Sequence, residues 1–275
     1  MRKYHCRLLL QIAFFCDKLA SISVYLTQKG EIMIVLKAKD YNELSKTAYE
    51  VIKKVVKNKS NATLGLATGS TPIGLYKEMI KDYIAGEVSY KDMTSINLDE
   101  YVALPVEHPE SYRSFMNTNL FNHIDIDKSK THVPNGLAED VEKACKEYTD
   151  FIKNNPIDIQ VLGIGANGHI GFNEPGTPLD ATTHLVELKE KTRVDNARFF
   201  DGDVNKVPTH AVTMGLKDIM SAKQILLLAS GANKADAVRD MLYGPVSPDC
   251  PASVLQLHDN VIVVVDEGAG YYLKG

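Results

Sequence analysis

Short apolar runs alternate with longer amphipathic stretches along the chain from Met33 onward. Seven of these runs predict β-strands: Ile34–Ala38, Thr63–Ala67, Ser95–Leu98, Ile157–Ile164, Ala211–Met214, Gln224–Ala229 and Val261–Asp266. Several are apolar at almost every position, which is typical of strands covered on both faces in a parallel sheet.

Between these runs, apolar residues recur at helical spacing. The stretch Tyr41–Val56 places five apolar side chains on one face. Similar spacing predicts helices at Ile73–Ile84, Tyr112–Asn122, Val141–Ile152 and Lys234–Met241. The alternation predicts an α/β fold, with a Rossmann-like, doubly wound and mostly parallel sheet flanked by helices on both faces.

Residues 1–32 precede this pattern, and we expect them to form an N-terminal extension outside the fold. Their basic start and short apolar run faintly resemble a signal peptide, but Asp17 and Lys18 follow directly and no clear cleavage site is present. Export stays the alternative to a cytoplasmic location. Residues 33–275 contain no repeat or long linker, which predicts a single domain.

The net charge, the short apolar run near the N-terminus and the cysteine spacing argue against several classes of protein. The net charge of -4 gives no support to a nucleic-acid-binding protein, and the apolar run near the N-terminus is too short to span a bilayer. The four cysteines form no C-x-x-C pair and match no zinc spacing, so we expect free thiols and no metal.

Two of the predicted strands run directly into polar turns. The first turn is Thr68-Gly69-Ser70-Thr71, followed by Pro72 at the expected start of a helix, with Thr71 as the expected N-cap. Backbone N–H groups and hydroxyls at a helix start suit a phosphate, although a simple strand-to-helix turn remains the alternative. The second turn carries Asp99 and Glu100, whose side chains should point in different directions. One of them, Asp99, is a candidate general base, with a helix cap or surface ion pair as the alternative.

A glycine-rich segment, Gly163–Gly176, follows another predicted strand. It opens with G-x-G-x-x-G, but its later glycines and prolines exclude the long helix that a dinucleotide-binding fingerprint requires. Dense glycine instead predicts a chain passing close to a ligand. His169, flanked by Asn167 and Glu174, is then a candidate for proton transfer. Two further cations, Arg198 and Lys234, are candidates for binding an anion or are solvated surface charges.

Taken together, these segments resemble the glucosamine-6-phosphate deaminase family. The matching stretches occur in family order: Leu66–Pro72, Asn97–Tyr101, His108–Tyr112, Gly165–Pro175, Thr192–Phe200 and Leu255–His258. The resemblance implies a hydrolase or isomerase that converts glucosamine 6-phosphate and water to fructose 6-phosphate and ammonia. It implies no metal and no organic cofactor, and a small-molecule substrate as the partner.

The resemblance also implies roles for individual residues. Thr68, Gly69, Ser70, Thr71, Arg198 and Lys234 would bind the substrate phosphate. His169 would move the proton that opens the sugar ring, with Asn167 and Glu174 orienting it, and Asp99 would transfer a proton from C2 to C1. Some family members carry Asp at the position of Asn167, so the pH profile is not inherited with the fold.

The resemblance leaves three questions open. The short C-terminal part favours a monomeric, unregulated form, with a homo-oligomer as the alternative. A 6-phosphogluconolactonase-type hydrolase would share the fold, but Asn173-Glu174-Pro175 favours a deaminase. A non-catalytic sugar-phosphate sensor is the third reading, although it would have no use for a poised base.

Overall fold

The computed structural model describes residues 21–26, 32–198 and 200–273. The strands are β1 Ser21–Leu26, β2 Ile32–Lys37, β3 Thr63–Leu66, β4 Thr94–Asn97, β5 Asp99–Tyr101, β6 Thr131–His132, β7 Ile159–Gly163, β8 His184–Glu187, β9 His210–Thr213, β10 Ile225–Ala229 and β11 Val261–Val265. The helices are α1 Tyr41–Asn58, α2 Ile73–Ile84, α3 Tyr112–Asn119, α4 Val141–Asn154, α5 Glu190–Ala197, α6 Leu216–Ile219 and α7 Ala235–Tyr243.

Eight strands form the main sheet, in the order β1-β2-β11-β10-β7-β3-β4-β6. All neighbours from β2 to β6 are parallel, and only β1 is antiparallel. Every residue of β10 and β11 is buried. Because successive side chains point to opposite faces, both faces of these strands are covered. The predicted α/β fold with a mostly parallel sheet is confirmed.

The edge strand β1 includes part of the expected N-terminal extension. Ser21–Leu26 lie inside the predicted extension, yet they pair along their whole length with β2. Alternating apolar residues in this stretch allow it to add to the open edge of the sheet. The rest of the expected extension, residues 1–20 and 27–31, lies outside the described residues.

A second, three-stranded antiparallel sheet has the order β5-β9-β8. The predicted strand at Ala211–Met214 belongs to this sheet and not to the main one. Its own apolar cluster includes Tyr101, Phe172 and Phe200, and α5 packs nearby through Ala197. The chain enters this sheet directly from the main one, since only Leu98 separates β4 from β5.

The order of the main sheet reverses between β3 and β7. After β3 the chain continues outward to β4 and β6, whereas after β7 it continues the other way to β10 and β11. In open α/β sheets, such a reversal opens a crevice beyond the carboxyl ends of the two strands, where ligands bind. Within the described chain, no helix has the length and apolar character needed to cross a membrane.

Candidate active site

The two predicted ligand loops leave neighbouring strands at this reversal. The Thr68–Thr71 turn follows β3, and the glycine-rich segment follows β7. The two strands are parallel and paired through Leu64 with Ile159 and Gly65 with Gln160. Both loops therefore start at the same edge of the sheet. Asp99 follows β4, which is the next strand after β3, at that same edge.

The Thr68–Thr71 turn is open to a ligand. Gly69 has a φ of 94°, and both Gly69 and Ser70 are exposed. The helix α2 begins at Ile73 with Pro72 as its cap, so the expected capping by Thr71 is wrong by one residue, and Pro72 has no side chain that caps. The positive end of this helix therefore lies directly beyond the turn, which suits an anion.

Two tyrosines that the sequence pattern did not single out hold this turn in place. The Tyr41 hydroxyl, on α1, lies 3.0 Å from the carbonyl oxygens of both Ser70 and Thr71 and accepts a hydrogen bond from the Gly74 N–H at 2.8 Å. The buried Tyr76 hydroxyl donates to the Ala67 carbonyl at 2.5 Å. Neither tyrosine carries a sequence signal, because each lies in an ordinary helix pattern.

Asp99 is a buried carboxyl group with a displaced pKa. It is 6% exposed, and its pKa is raised to about 8, mainly by burial and further by the neighbouring charge of Glu100. Within the part of the chain that the structure describes, no hydrogen-bond donor stabilises the charged form of this group. A carboxylate in such surroundings gains strongly from a cation or from a proton. Asp99 can therefore act as a base towards a bound ligand.

The adjacent carboxylate of Glu100 points elsewhere, as the alternation of side chains along a strand requires. Its oxygens accept hydrogen bonds from the backbone N–H groups of Tyr112 at 2.9 Å and Arg113 at 3.0 Å. These N–H groups belong to the first turn of α3. Burial raises the pKa of Glu100, while these backbone hydrogen bonds oppose the rise. Glu100 thus stabilises a helix start and leaves Asp99 to face the crevice.

The glycine-rich segment is a loop, and no helix follows it before α5. This confirms that its G-x-G-x-x-G pattern does not have the strand-to-helix geometry of a dinucleotide site. The Gly165 N–H donates to the His169 carbonyl at 2.8 Å, which closes a tight turn. A Cβ atom on Gly165 would overlap the His169 ring. Glycine at position 165 therefore makes room for the histidine.

The hydrogen bonds around His169 define which ring nitrogen carries the proton. Asn167 Nδ2 donates to Glu174 Oε2 at 2.7 Å, because a carboxylate can only accept. This fixes the amide, so Asn167 Oδ1 faces His169 Nδ1 at 2.7 Å and must accept the Nδ1 proton. The neutral ring then has its lone pair on Nε2. The side chain is 33% exposed, so a ligand can reach it.

Burial favours the neutral form of His169. Burial lowers its pKa, the lysines 234 and 189 lower it further, and Glu174 opposes them. Glu174 Oε1 lies 3.6 Å from His169 Nδ1, and Glu174 Oε2 lies 3.7 Å from the Lys189 ammonium. His169 is therefore an uncharged proton acceptor near neutral pH. Lys189, at the start of α5, is a further site residue that sequence reasoning missed, since it looked like a solvated charge.

The loop that carries His169 also lies against Asp99. Gly171 has a φ of 58°, and a Cβ atom there would stand 3.7 Å from Asp99 Oδ2. The Phe172 N–H donates to Thr213 Oγ1 at 3.1 Å, and Thr213 is the strand partner of Asp99. The loop that carries Asn167, His169 and Glu174 therefore passes close to Asp99.

The two candidate cations occupy different places. Lys234 is half-buried at the end of the turn after β10, and its charge acts on His169. Arg198 is exposed at the C-terminal end of α5, beside the second sheet. Its role with the phosphate turn stays a prediction. Among the described residues, no group of three or more His, Cys, Asp or Glu side chains is arranged to bind a metal ion.

The sequence is similar to curated deaminases over most of its length. It is 53% identical to a glucosamine-6-phosphate deaminase of Clostridium perfringens (strain 13 / Type A) over 243 residues, which is 88% of this chain and 100% of that protein. It is 51% identical to a glucosamine-6-phosphate deaminase of Bacillus cereus (strain G9842) over 237 residues, covering 86% of this chain and 88% of that one.

Solved structures show the same relationship. A monomeric glucosamine-6-phosphate deaminase superimposes with a TM-score of 0.84 at 46% identity, covering 86% of this chain and 98% of that one. The 6-phosphogluconolactonase of Trypanosoma cruzi gives a TM-score of 0.71 at 18% identity, covering 88% of this chain and 97% of that one. The second likeness shows the fold alone.

Most of the α/β region takes part in a family match. Residues 37–264 match the family described as glucosamine-6-phosphate isomerases/6-phosphogluconolactonase. This range includes both ligand loops, Asp99 and Lys234. The chain therefore belongs to the glucosamine-6-phosphate isomerase/6-phosphogluconolactonase family.

Proposed function

We propose that the protein converts glucosamine 6-phosphate and water to fructose 6-phosphate and ammonia. The observation that carries this proposal is a contact between a strand and a loop: the buried carboxyl group of Asp99, the first residue of β5, lies against the loop that presents neutral His169. Identities above 50% to deaminases support the same reaction, and they favour a deaminase and isomerase over the hydrolase class.

The reaction begins with ring opening. His169 Nε2 accepts the proton of the anomeric hydroxyl and returns it to the ring oxygen, which gives the open-chain aldehyde. Glu174 and Asn167 hold the imidazole in the tautomer that this step needs. Because the pKa of His169 is lowered, the ring is neutral at the start of the step.

Isomerisation follows at the carbons beside the amine. Asp99 removes the C2 proton, and the electron pair forms a C1–C2 double bond while O1 gains a proton, which gives an enolamine. Return of the proton to C1 produces a C2 imine, and water replaces its nitrogen to release ammonia and the ketose. A substrate ammonium beside Asp99 favours the charged carboxylate, so binding lowers the raised pKa of this base.

Binding of the phosphate orients the open chain. The Thr68–Thr71 turn at the start of α2 supplies backbone N–H groups, and Arg198 and Lys234 supply positive charge. Anchoring one end of a flexible substrate places C2 at Asp99 and contributes several kcal/mol to lowering the barrier.

Lys234→Ala should therefore weaken substrate binding and leave the chemical step unchanged, and the effect on binding should be largest at low salt.

An ammonia-release assay with two substrates tests the proposal. Purified protein should release ammonia and fructose 6-phosphate from glucosamine 6-phosphate and leave 6-phosphogluconolactone at its spontaneous hydrolysis rate. Lactone hydrolysis without ammonia release would instead identify the hydrolase of this family. Binding of glucosamine 6-phosphate without turnover would identify a sensor.

We also infer that the protein acts as a monomer in the cytoplasm. The support is the monomeric state of the deaminase structure that is 46% identical to this chain. Light scattering during size-exclusion chromatography, at the concentration used in the assay, should give the mass of one chain. A dimer or hexamer mass would contradict this inference.

A further inference from the structure

The turn that presents Lys234 follows β10 and consists of residues 230–234. Gly231 has a φ of 94° and begins a single helical turn, Ala232–Lys234. The Lys234 N–H donates to the Gly231 carbonyl at 3.0 Å, and α7 starts at the next residue. The conformation at Gly231 therefore determines where the Lys234 side chain leaves the backbone.

One buried carboxylate binds this turn from the neighbouring strand. Asp266 directly follows β11, is 8% exposed, and accepts the Ser230 hydroxyl at 2.5 Å. It also accepts the Gly231 N–H at 2.9 and 3.0 Å and the Ala269 N–H at 2.8 Å. Hydrogen bonds to an ionised acceptor are about twice as strong as neutral ones. Asp266 thus ties the turn after β10 to the turn after β11.

The two turns are also packed tightly. A Cβ atom at Gly268 would stand 2.8 Å from the Ala232 backbone nitrogen, so glycine is needed for this close approach. Lys234 follows β10 at the carboxyl edge of the sheet, and β10 pairs in parallel with β7, which leads into the loop that carries His169. Both carboxylate oxygens of Asp266 accept hydrogen bonds from these two turns, so its carboxylate is engaged in holding the turn that presents Lys234.

We propose that Asp266 is a positioning residue for substrate binding, because its carboxylate fixes the Ser230–Lys234 turn and so holds Lys234 at the anionic end of the substrate. The proposal rests on the proposed function, in which Lys234 binds the phosphate. Asp266 itself does not touch the substrate. Its effect must therefore pass through Lys234 and appear in binding more than in the chemical step.

A double-mutant cycle tests this dependence. Asp266→Asn should raise KM for glucosamine 6-phosphate about three- to tenfold with kcat within about twofold, since part of one charge-assisted phosphate contact is lost. The inhibition constant of inorganic phosphate should rise by the same factor. In the Lys234→Ala background, Asp266→Asn should change KM by less than about twofold, because two residues acting through one contact are not additive.

Asp158→Asn is the matched control. Asp158 is also a buried carboxylate that bonds to backbone and side chains, but it lies at the opposite edge of the sheet, before β7. It should lower the melting temperature and leave KM unchanged. If Asp266→Asn does not fold, Ser230→Ala is the variant that tests the proposal. It removes one of the hydrogen bonds to Asp266 and should raise KM by a smaller factor.

Three results would overturn the proposal. These are an unchanged KM in Asp266→Asn, an equal rise in KM in the presence and absence of Lys234, and a similar rise in Asp158→Asn. Failure of the proposed function is a separate outcome, seen as no ammonia release by the wild-type protein. In that case the phosphate-induced rise in melting temperature still tests the turn, and it should shrink in both Asp266→Asn and Lys234→Ala.

Discussion

At the scale of single residues, the site depends on two pKa values displaced in opposite directions. Burial and the neighbouring charge of Glu100 raise the pKa of Asp99 to about 8, whereas burial and nearby lysines lower the pKa of His169. In the empty site near neutral pH, the carboxyl group holds a proton and the imidazole does not. A cationic substrate stabilises the charged carboxylate of Asp99, so this group becomes an active base when the substrate is bound.

The raised pKa of Asp99 predicts a gain in stability when this residue is neutralised. The unfolded chain loses the Asp99 proton near pH 4, while the folded protein keeps it up to about pH 8, so stability falls as pH rises between these values. Asp99→Asn removes this penalty. The melting temperature of the variant should exceed that of the wild type, and the difference should grow from pH 5 to pH 8. A difference independent of pH would contradict the raised pKa.

Replacement of Asn167 by Asp predicts a shift in the pH profile. A carboxylate at this position still accepts the Nδ1 proton of His169 but adds a negative charge at 2.7 Å, which raises the pKa of the imidazole. The acidic limb of kcat/KM that belongs to His169 should move to higher pH, and a proton NMR titration of the ring should show the same shift. Asn167→Ala is the uncharged control. A shift to lower pH in the Asp variant would contradict the assigned contacts.

The sequence predicted that the side chains of Asp99 and Glu100 point in different directions, because neighbouring residues of a strand face opposite sides. Which carboxylate faces the ligand was not predictable, since that depends on where α3 begins. The roles of Tyr41 and Tyr76 were also outside the reach of the sequence pattern. Both act through hydroxyl groups on backbone atoms of a distant turn, and a helical pattern reports only which face is apolar.

At the scale of elements, the glycine loop combines a tight turn with room for a side chain. Glycine at position 165 is required by the overlap that a methyl group would cause with the His169 ring. The loop continues past Asp99, where Gly171 approaches the carboxylate closely. One segment thus shapes the surroundings of two reacting groups.

Gly165→Ala tests this use of glycine. The added methyl group should displace the His169 ring and reduce kcat about tenfold or more, since a small displacement of a catalytic group has a large effect on rate. Stability should fall by about 1 kcal/mol or less, because the backbone at this residue needs no left-handed conformation. Gly86→Ala, at an exposed turn after α2, is a control that affects stability and not kcat. Unchanged kcat in Gly165→Ala would contradict the role of this residue.

All seven predicted strands are present, and most of them are compact apolar runs. The sequence pattern missed four strands, the edge strand β1 and the short strands β5, β6 and β8. Two of the three residues of β5 are charged, and the residues of β8 alternate between half-buried and exposed. Assignment of β9 to a second sheet was beyond the sequence, since strand pairing between distant segments leaves no local pattern.

At the scale of the whole molecule, the two edges of the parallel sheet have different tasks. The carboxyl edge carries the ligand loops, whereas at the amino edge the side chain of Asp158 connects several elements. Its carboxylate bonds to Lys59 at 2.6 Å, to Lys223 at 2.7 Å and to the Thr63 N–H at 2.8 Å. These contacts connect the end of α1 with the starts of β3, β7 and β10.

Asp158→Ala should therefore destabilise the protein without changing its chemistry. We expect a loss of about 2 kcal/mol, below that of a fully buried ion pair, because both lysines are partly exposed and can be solvated. The pKa of Asp158 is lowered, so its stabilising effect is present above pH 4 and disappears as pH falls below that value. Urea unfolding should show a larger difference between variant and wild type at pH 7 than at pH 3.

The most direct test of the central claim is exchange of the C2 proton of glucosamine 6-phosphate with deuterated water. The wild-type protein should incorporate deuterium during turnover, because Asp99 removes and returns a proton at the crevice shared with His169. Asp99→Asn should still bind the substrate through its phosphate and show no exchange. Exchange at the wild-type rate in Asp99→Asn would contradict the assignment of Asp99 as the base.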